Sequence, residues 1–207
     1  MRYHTYKGSH CRNLVIADSQ GKELRFPNYN ILSLPGGTIA TVLDFLPPKD
    51  KFDTIVLFIG GNNAFNNQTP STHPPREIAR ELSHLANRLL ELARKVVILG
   101  IPFRKGENNH NRARAINIEI ENLKSQNSWN FRGIAAKTFK DSYLQPDGVH
   151  LTPTGGLQPV RSALKKLLYK EFSKSADSAG HTSDLDCPSD RPCRCSYFTY
   201  FTLPRRR

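Results

Sequence analysis

The stretch that decides the fold is "DTIVLFIG", residues 53–60. It is rich in β-branched residues and apolar on both faces, which is typical of a central strand of a parallel sheet. "KVVILGIP", residues 95–102, has the same character. The other predicted strands are "NLVIAD" (13–18), "YNILSL" (29–34) and the shorter "FRGIAA" (131–136).

Helical patterns fill the gaps between these strands. Four segments carry apolar residues at helical spacing: 38–46, 74–95, 109–126 and 152–172. The second has the strongest pattern, because Ile78, Leu82 and Leu89 fall on one face with further leucines between them. Strands that alternate with helices predict an α/β fold, in which a parallel sheet is covered by helices on both sides as a three-layer α/β/α sandwich.

Length and charge limit the possible classes of protein. The 207 residues are enough for one α/β domain and few for two. The net charge of +12 favours a polyanionic partner such as nucleic acid, although a soluble basic protein without such a partner has the same composition. No apolar run reaches the roughly 20 residues of a membrane span, and no signal-peptide pattern is seen. We therefore expect a cytoplasmic or nuclear protein without a transmembrane segment.

The periodic pattern also sets the expected domain boundaries. Residues 13–172 form the predicted domain, residues 1–12 an N-terminal extension, and residues 173–207 a Ser/Asp-rich tail that we expect to be disordered. This tail holds Cys187, Cys193 and Cys195. Their C-x₅-C-x-C spacing lacks the paired cysteines of a zinc site, so we predict no bound metal.

Polar and glycine residues follow the predicted strands. Residues 18–20 follow the first strand, residues 35–38 the second and residues 60–63 the third, and "QPDGVHLTPTG" (145–155) precedes the last helix. In an open parallel sheet, ligands bind beyond the carboxyl ends of the strands. Each fragment alone is also an ordinary turn, but together they contain the groups that acyl transfer requires.

Acyl transfer needs a nucleophile, a base, a group that orients the base, and donors for the oxyanion. Ser19 is the candidate nucleophile and His150 the candidate base. Asp147, three residues before His150, is the candidate orienting acid. The predicted oxyanion hole consists of the backbone N–H groups of Ser19 and Gly36 and the side-chain amide of Asn62.

These blocks resemble those of the SGNH, or GDSL-type, hydrolase family. The blocks "IADSQ", "LPGGT", "IGGNN" and "DGVHLT" match the family's Ser, Gly, Asn and His blocks in order, over residues 13 to about 170. The resemblance implies the SGNH hydrolase fold, with a flavodoxin-like sheet of five parallel strands in the order 2-1-3-4-5. It also implies hydrolysis of a carboxylic ester, of a small molecule or a lipid, by a Ser-His-Asp triad with no metal or cofactor. Two positions depart from the family pattern: Ala17 stands where Gly is usual, and Asn63 where Asp is usual.

A finer resemblance concerns residues 100–123. This stretch is similar to the segment after the fourth strand in the SGNH, esterase-like domains of non-LTR retrotransposon ORF1 proteins. It implies that the substrate is an acetyl or lipid ester and that the protein acts in a nucleic-acid context.

The alternative function is a catalytically weak or inactive module of the same fold, whose basic surface binds nucleic acid.

The remaining candidates are substrate-binding residues. Arg104 is expected near the mouth of the site with Lys105, Arg112 and Arg114, where it would bind an anionic substrate group or RNA phosphate. The alternative is a solvated basic loop. Phe65 is expected either to line the acyl pocket or to pack beneath its loop. The sequence does not indicate an oligomeric state.

Overall fold

The computed structural model describes residues 4–6, 12–44, 52–66, 69–133 and 141–178, with the backbone alone for residues 4, 6 and 169–178. Among these residues, a six-stranded sheet has the order β1-β3-β2-β4-β7-β8. A separate antiparallel hairpin is formed by β5 and β6. The strands are β1 His4–Tyr6, β2 Asn13–Ala17, β3 Asn30–Ser33, β4 Phe52–Phe58, β5 Phe65–Asn66, β6 Thr69–Pro70, β7 Ala93–Ile98 and β8 Asn130–Phe131.

The five predicted strands pair in parallel in the predicted order 2-1-3-4-5, as β3-β2-β4-β7-β8. Every residue of β2 is buried, and six of the seven residues of β4 are buried, which is why both strands read as continuous apolar runs. The chain steps outward from β2 to β3 and then reverses through β4, β7 and β8. Right-handed crossovers therefore place helices on both faces of the sheet, and the α/β prediction is confirmed.

The sheet has one strand that the sequence did not predict. β1 lies inside the expected N-terminal extension and pairs antiparallel with β3, in the register His4–Ser33 to Tyr6–Ile31. Three residues are too few to show a periodic pattern in the sequence. A strand this short depends on the hydrogen bonds that its neighbour offers.

Five helices connect or cover the strands in the described ranges: α1 Ile39–Asp44, α2 Gly61–Ala64, α3 Pro75–Leu89, α4 Glu107–Lys124 and α5 Gln158–Ser178. None of them is long and apolar enough to cross a membrane. The predicted helix 74–95 ends early, at Leu89, because Leu92 already accepts a hydrogen bond from the Phe52 N–H (2.8 Å) and β7 begins at Ala93.

The last helix is shifted relative to its predicted limits of 152 and 172. Residues 153–157 form turns packed against Tyr143, and a Cβ on Gly156 would lie 2.3 Å from the Tyr143 carbonyl oxygen. The helix continues to Ser178, beyond the expected start of the tail, because no Gly or Pro interrupts the chain there until Gly180. Residues 179–207 with their three cysteines lie outside the described residues, as do Cys11, residues 45–46 and residues 134–136.

Candidate active site

Ser19 and His150 meet at the carboxyl edge of the sheet. Ser19 begins a single 3₁₀ turn, Ser19–Gly21, which is separated from β2 by Asp18 alone. Its Oγ lies 2.9 Å from Nε2 of His150, and Nδ1 of His150 lies 2.6 Å from Oδ2 of Asp147. The structure thus brings together, in hydrogen-bonding sequence, the three residues that were predicted to act as nucleophile, base and orienting acid.

The loop of residues 145–151 holds Asp147 and His150 in a fixed relation. Oδ1 of Asp147 accepts the backbone N–H groups of Val149 (2.9 Å) and His150 (3.0 Å). The Gln145 N–H in turn donates to the His150 carbonyl at 2.7 Å. Both carboxylate oxygens of Asp147 are therefore engaged within its own loop, and this loop can approach Ser19 as one unit.

Electrostatics favour an ionised Asp147. Its partial burial raises the pKa, but hydrogen bonds from the ring and the backbone of His150 and from the Val149 N–H outweigh that effect and lower the pKa of Asp147 to about 2. A carboxylate on Oδ2 selects the His150 tautomer that carries its proton on Nδ1. Nε2 is then free to accept the hydrogen bond from the Ser19 hydroxyl.

The three candidate oxyanion donors follow neighbouring strands. Gly36 lies in the turn after β3 with φ +72°, and a Cβ at this position would meet no described atom within 4 Å, so the space beside it is open. The Asn62 side chain lies at the start of α2, after β4, and Nδ2 donates to the Gly37 carbonyl at 2.9 Å. This bond ties the Asn62 amide to the Gly36–Gly37 turn. Within the described ranges, the N–H groups of Ser19 and Gly36 donate no hydrogen bond.

Arg104 orients Asn62 from behind. Its Nη2 lies 3.4 Å from Oδ1 of Asn62 and 3.4 Å from the Gly61 carbonyl oxygen. Its guanidinium carbon lies 4.9 Å from the centre of the Phe65 ring. Because Oδ1 faces the cation, Nδ2 of Asn62 is directed away from it, toward Gly37.

The structure buries Arg104 and Phe65, the two residues that were predicted to bind substrate. Arg104 is 6% exposed and Phe65 is 2% exposed, and the two side chains pack on each other beneath the α2 turn. Both side chains are therefore almost fully covered by protein in this structure. This burial agrees with the alternative in which Phe65 packs beneath its loop. The ring and the Arg104 guanidinium form a cation–π contact, which is favourable away from water.

Arg104 also faces a buried carboxylate. Burial raises the pKa of Asp18, against the hydrogen bonds from the Gln20 and Gly61 N–H groups and the charge of Arg104. Burial lowers the pKa of Arg104, against the charges of Asp18 and Asp147. Asp18, which precedes the candidate nucleophile in the chain, is therefore a buried carboxyl group that interacts electrostatically with Arg104.

The basic residues after β7 do not form one patch. Arg112 is half-buried and donates to Ser71 Oγ (3.1 Å) and to the His73 carbonyl. Lys105 and Arg114 are exposed, but Arg104 is buried, so the predicted four-residue cluster is divided between interior and surface. Sequence spacing did not reveal this division, because charge alone does not show which side chains have buried partners.

The two departures from the family pattern are accommodated locally. Ala17 is fully buried, and a Cβ on Gly21 would lie 2.5 Å from the Ala17 Cβ, so the methyl group of Ala17 occupies space that glycine leaves open at position 21. Asn63 accepts the Ile39 N–H at 3.0 Å and donates to Glu81 Oε2 at 3.1 Å. Its amide thus joins α2 to both α1 and α3.

The sequence assigned no role to Gln20, which follows Ser19. It is 8% exposed, and its side chain donates to the Val149 carbonyl (2.8 Å) and accepts the Leu151 N–H (2.9 Å). No sequence signal could have found these contacts, since a glutamine in a polar turn is ordinarily solvated.

No protein-family model matches the sequence, and no curated protein matches it. Solved structures do match its fold. TesA is 20% identical with a TM-score of 0.58, over 75% of this chain and 97% of TesA. Est24, a carbohydrate acetylesterase from Sinorhizobium meliloti, is 15% identical with a TM-score of 0.56, over 77% of this chain and 100% of Est24.

Axe2, an acetylxylan esterase from Geobacillus stearothermophilus, is 15% identical with a TM-score of 0.57, over 77% of this chain and 94% of Axe2. Two further matching structures are catalytic mutants of Axe2, in which an Asp and a His three positions apart are each replaced by Ala. These likenesses show that the chain has the α/β fold of the SGNH hydrolases.

Proposed function

We propose that this protein is a serine hydrolase of the SGNH type that cleaves a carboxylic ester, acyl or acetyl, through an acyl-enzyme intermediate. The observation that carries the proposal is the chain of two hydrogen bonds from Ser19 Oγ through His150 to Asp147, at 2.9 and 2.6 Å. The proposal is supported by the fact that proteins of similar fold include a carbohydrate acetylesterase and an acetylxylan esterase. In the latter, the Asp and His of the catalytic mutants have the spacing of Asp147 and His150.

The first half-reaction acylates Ser19. Its Oγ attacks the ester carbonyl carbon while His150 Nε2 takes the hydroxyl proton, and Asp147 stabilises the imidazolium that forms. The negative charge on the former carbonyl oxygen accepts hydrogen bonds from the Ser19 and Gly36 N–H groups and from Asn62 Nδ2. When the intermediate collapses, the bond to the ester's alcohol oxygen breaks and His150 donates its proton to the departing alcohol.

The second half-reaction releases the acid. Water takes the place of the alcohol, His150 Nε2 removes its proton, and the water oxygen attacks the acyl carbon. Collapse of the second tetrahedral intermediate breaks the bond to Ser19 Oγ, which recovers its proton from His150. The cycle needs a nucleophile, a base and oxyanion donors, all of which this chain supplies.

The proposed substrate is an ester of a small molecule or a lipid. The position of the site at the carboxyl edge, with open space beside Gly36, favours a substrate that enters there. The finer resemblance of residues 100–123 to retrotransposon ORF1 esterase-like domains stays a prediction, as does nucleic-acid association.

Turnover of an activated short-chain ester, such as p-nitrophenyl acetate, tests the proposal. Ser19→Ala should lower kcat by about 10³-fold or more, because the nucleophile is removed. Ser125→Ala, which removes an exposed hydroxyl at the end of α4, is the matched control and should keep the wild-type rate.

The non-catalytic alternative predicts a different pattern. A nucleic-acid-binding module would show no turnover above the Ser19→Ala background. It would bind RNA or DNA with an affinity that falls with salt and ignores the Ser19→Ala change. That pair of results would contradict the proposed hydrolase.

A further inference from the structure

The Gln20 side chain joins the two segments that carry the reacting groups. Gln20 directly follows Ser19 and is 8% exposed. Its Nε2 donates to the Val149 carbonyl at 2.8 Å, and its Oε1 accepts the Leu151 N–H at 2.9 Å. Val149 and Leu151 are the residues on either side of His150, so one amide holds the backbone before and after the candidate base.

The two hydrogen bonds of Gln20 fix both the distance between Ser19 and His150 and the orientation of the backbone that carries His150. The Gln20 amide binds a C=O group and an N–H group that are two residues apart, as a residue of a neighbouring parallel strand does. Two such hydrogen bonds leave the segment of residues 149–151 little freedom to slide or rotate. Because Gln20 is next to Ser19 and its partners are next to His150, the amide sets the separation of the two reacting side chains. The Ser19–His150 hydrogen bond of 2.9 Å is therefore supported from outside the triad.

Gln20 is itself held in place from the interior. Its backbone N–H donates to Oδ1 of Asp18 at 3.0 Å, and Asp18 is 3% exposed and faces the charge of Arg104. The loop of residues 145–151 has a second attachment, from the Lys105 N–H to the Gly148 carbonyl (2.9 Å), on the side of Asp147. Lys105 thus holds the middle of the loop, next to Asp147, while Gln20 holds the part that carries His150.

We propose that Gln20 is a positioning residue, which aligns His150 Nε2 with Ser19 Oγ through its two hydrogen bonds to the backbone that flanks His150. This inference rests on the proposed hydrolase function. Loss of the amide would leave a buried N–H and a partly buried C=O unpaired and let the loop move. Small displacements of a catalytic group lower the rate of the chemical step more than they weaken substrate binding.

Two variants of Gln20 test the role. Gln20→Met keeps the length of the side chain and removes both hydrogen bonds, whereas Gln20→Asn keeps the amide but is one methylene too short to span both partners. The matched control is Asn13→Leu, because Asn13 is also 8% exposed and hydrogen-bonded, to the Asn28 carbonyl at 3.2 Å, but lies at the opposite end of β2.

The readouts are ester turnover, the rate of labelling by a fluorophosphonate, and amide hydrogen exchange. Both Gln20 variants should lower kcat and the labelling rate by about tenfold or more with little change in KM. Both should also speed exchange in the peptide that contains residues 149–151. Asn13→Leu should lose comparable thermal stability yet keep the wild-type labelling rate and the protection of that peptide.

The outcomes separate this inference from the proposed function. Labelling of Gln20→Met at the rate of Asn13→Leu would overturn the positioning role while leaving the hydrolase intact. If the wild type itself is not labelled, the proposed function fails and hydrogen exchange decides: protection of residues 149–151 that survives in Gln20→Met overturns the inference, and its selective loss supports it. If Gln20→Met does not fold, Gln20→Asn carries the same comparison.

Discussion

Ala17 and Gly21 lie face to face beneath the turn that presents Ser19. The Ala17 methyl group is fully buried, and the position of a Cβ on Gly21 would be 2.5 Å from it and 3.4 Å from the Ser33 Cβ. Only one of the two positions can carry a side chain without moving the backbone. The departure at residue 17 is therefore matched by the glycine at residue 21.

Gly21→Ala should lower the free energy of unfolding by about 1–3 kcal/mol, because it overpacks this contact. Adding Ala17→Gly should restore much of the loss, since it removes the opposing methyl group. Thermal or urea unfolding of the two single variants and the double variant measures the coupling. Simple additivity of the two changes would show that the residues do not compete for the same space.

Asn63 performs two hydrogen-bonding tasks that an aspartate could not perform together here. Its oxygen accepts the Ile39 N–H at 3.0 Å, which a carboxylate could also do. Its nitrogen, however, donates to Glu81 Oε2 at 3.1 Å, where a second carboxylate would meet a like charge. Glu81 thus explains why this chain has Asn at a position where the resembling family usually has Asp.

Asn63→Asp should destabilise the protein at pH 7 by about 1 kcal/mol, as expected for a partly solvated like-charge pair. Combining it with Glu81→Gln should recover the loss, while Asn66→Asp, on an exposed side chain of the same segment, should have little effect. Chemical denaturation compares the four proteins. Destabilisation by Asn63→Asp that persists beside Glu81→Gln would contradict the electrostatic explanation.

At the scale of elements, the loop of residues 145–151 is organised by one carboxylate. Oδ1 of Asp147 accepts two backbone N–H groups and Oδ2 lies 2.6 Å from the His150 ring. These hydrogen bonds form only in the folded chain. They lower the pKa of Asp147 in the folded state to about 2, from an ordinary value of 3.8.

Because the folded-state pKa is the lower one, the stability that the Asp147 carboxylate contributes is present above about pH 4 and is lost as the pH falls toward 2. The difference in unfolding free energy between wild type and Asp147→Asn should therefore shrink over this interval in pH-dependent urea unfolding. At neutral pH, Asp147→Asn should also lower kcat by about 10³- to 10⁴-fold, because the amide no longer selects the Nδ1–H tautomer. A pH-independent stability difference would mean that the carboxylate is not engaged in the folded state.

The main elements could be predicted from the sequence where burial is periodic or continuous. β2 and β4 are buried on both faces, and α3 buries Ile78, Leu82 and Leu89, so their patterns are strong. The limits of α3 and α5 could not be read this way, because a strand pairing and a turn packed on Tyr143 set them. Tertiary contacts of this kind leave no local signal.

The candidate site also has one part that the sequence predicts and another part that depends on tertiary contacts. The positions of Ser19, Gly36 and Asn62 after neighbouring strands follow from the strand order, because parallel strands bring their carboxyl ends to one edge. The contacts of Gln20 with the 145–151 loop and of Arg104 with Phe65 and Asn62 join segments far apart in the chain. Only the packed structure reveals which polar side chains are enclosed and what they hold.

For the molecule as a whole, the net charge of +12 and the candidate site are different kinds of evidence about function. The charge is a property of composition, and the basic residues after β7 are divided between interior and surface. The site is a specific geometry, built by segments from three neighbouring strands and the loop before α5. The proposed hydrolase function therefore depends on the reactivity of Ser19 and not on the overall charge.

Mapping the adduct of a fluorophosphonate by peptide mass spectrometry measures that reactivity. In a folded serine hydrolase the probe phosphonylates only a nucleophile whose proton a neighbouring base can remove. The wild type should carry a single adduct, located on Ser19, and Ser19→Ala should carry none. An unlabelled wild type, or an adduct that persists in Ser19→Ala, would contradict the proposed mechanism.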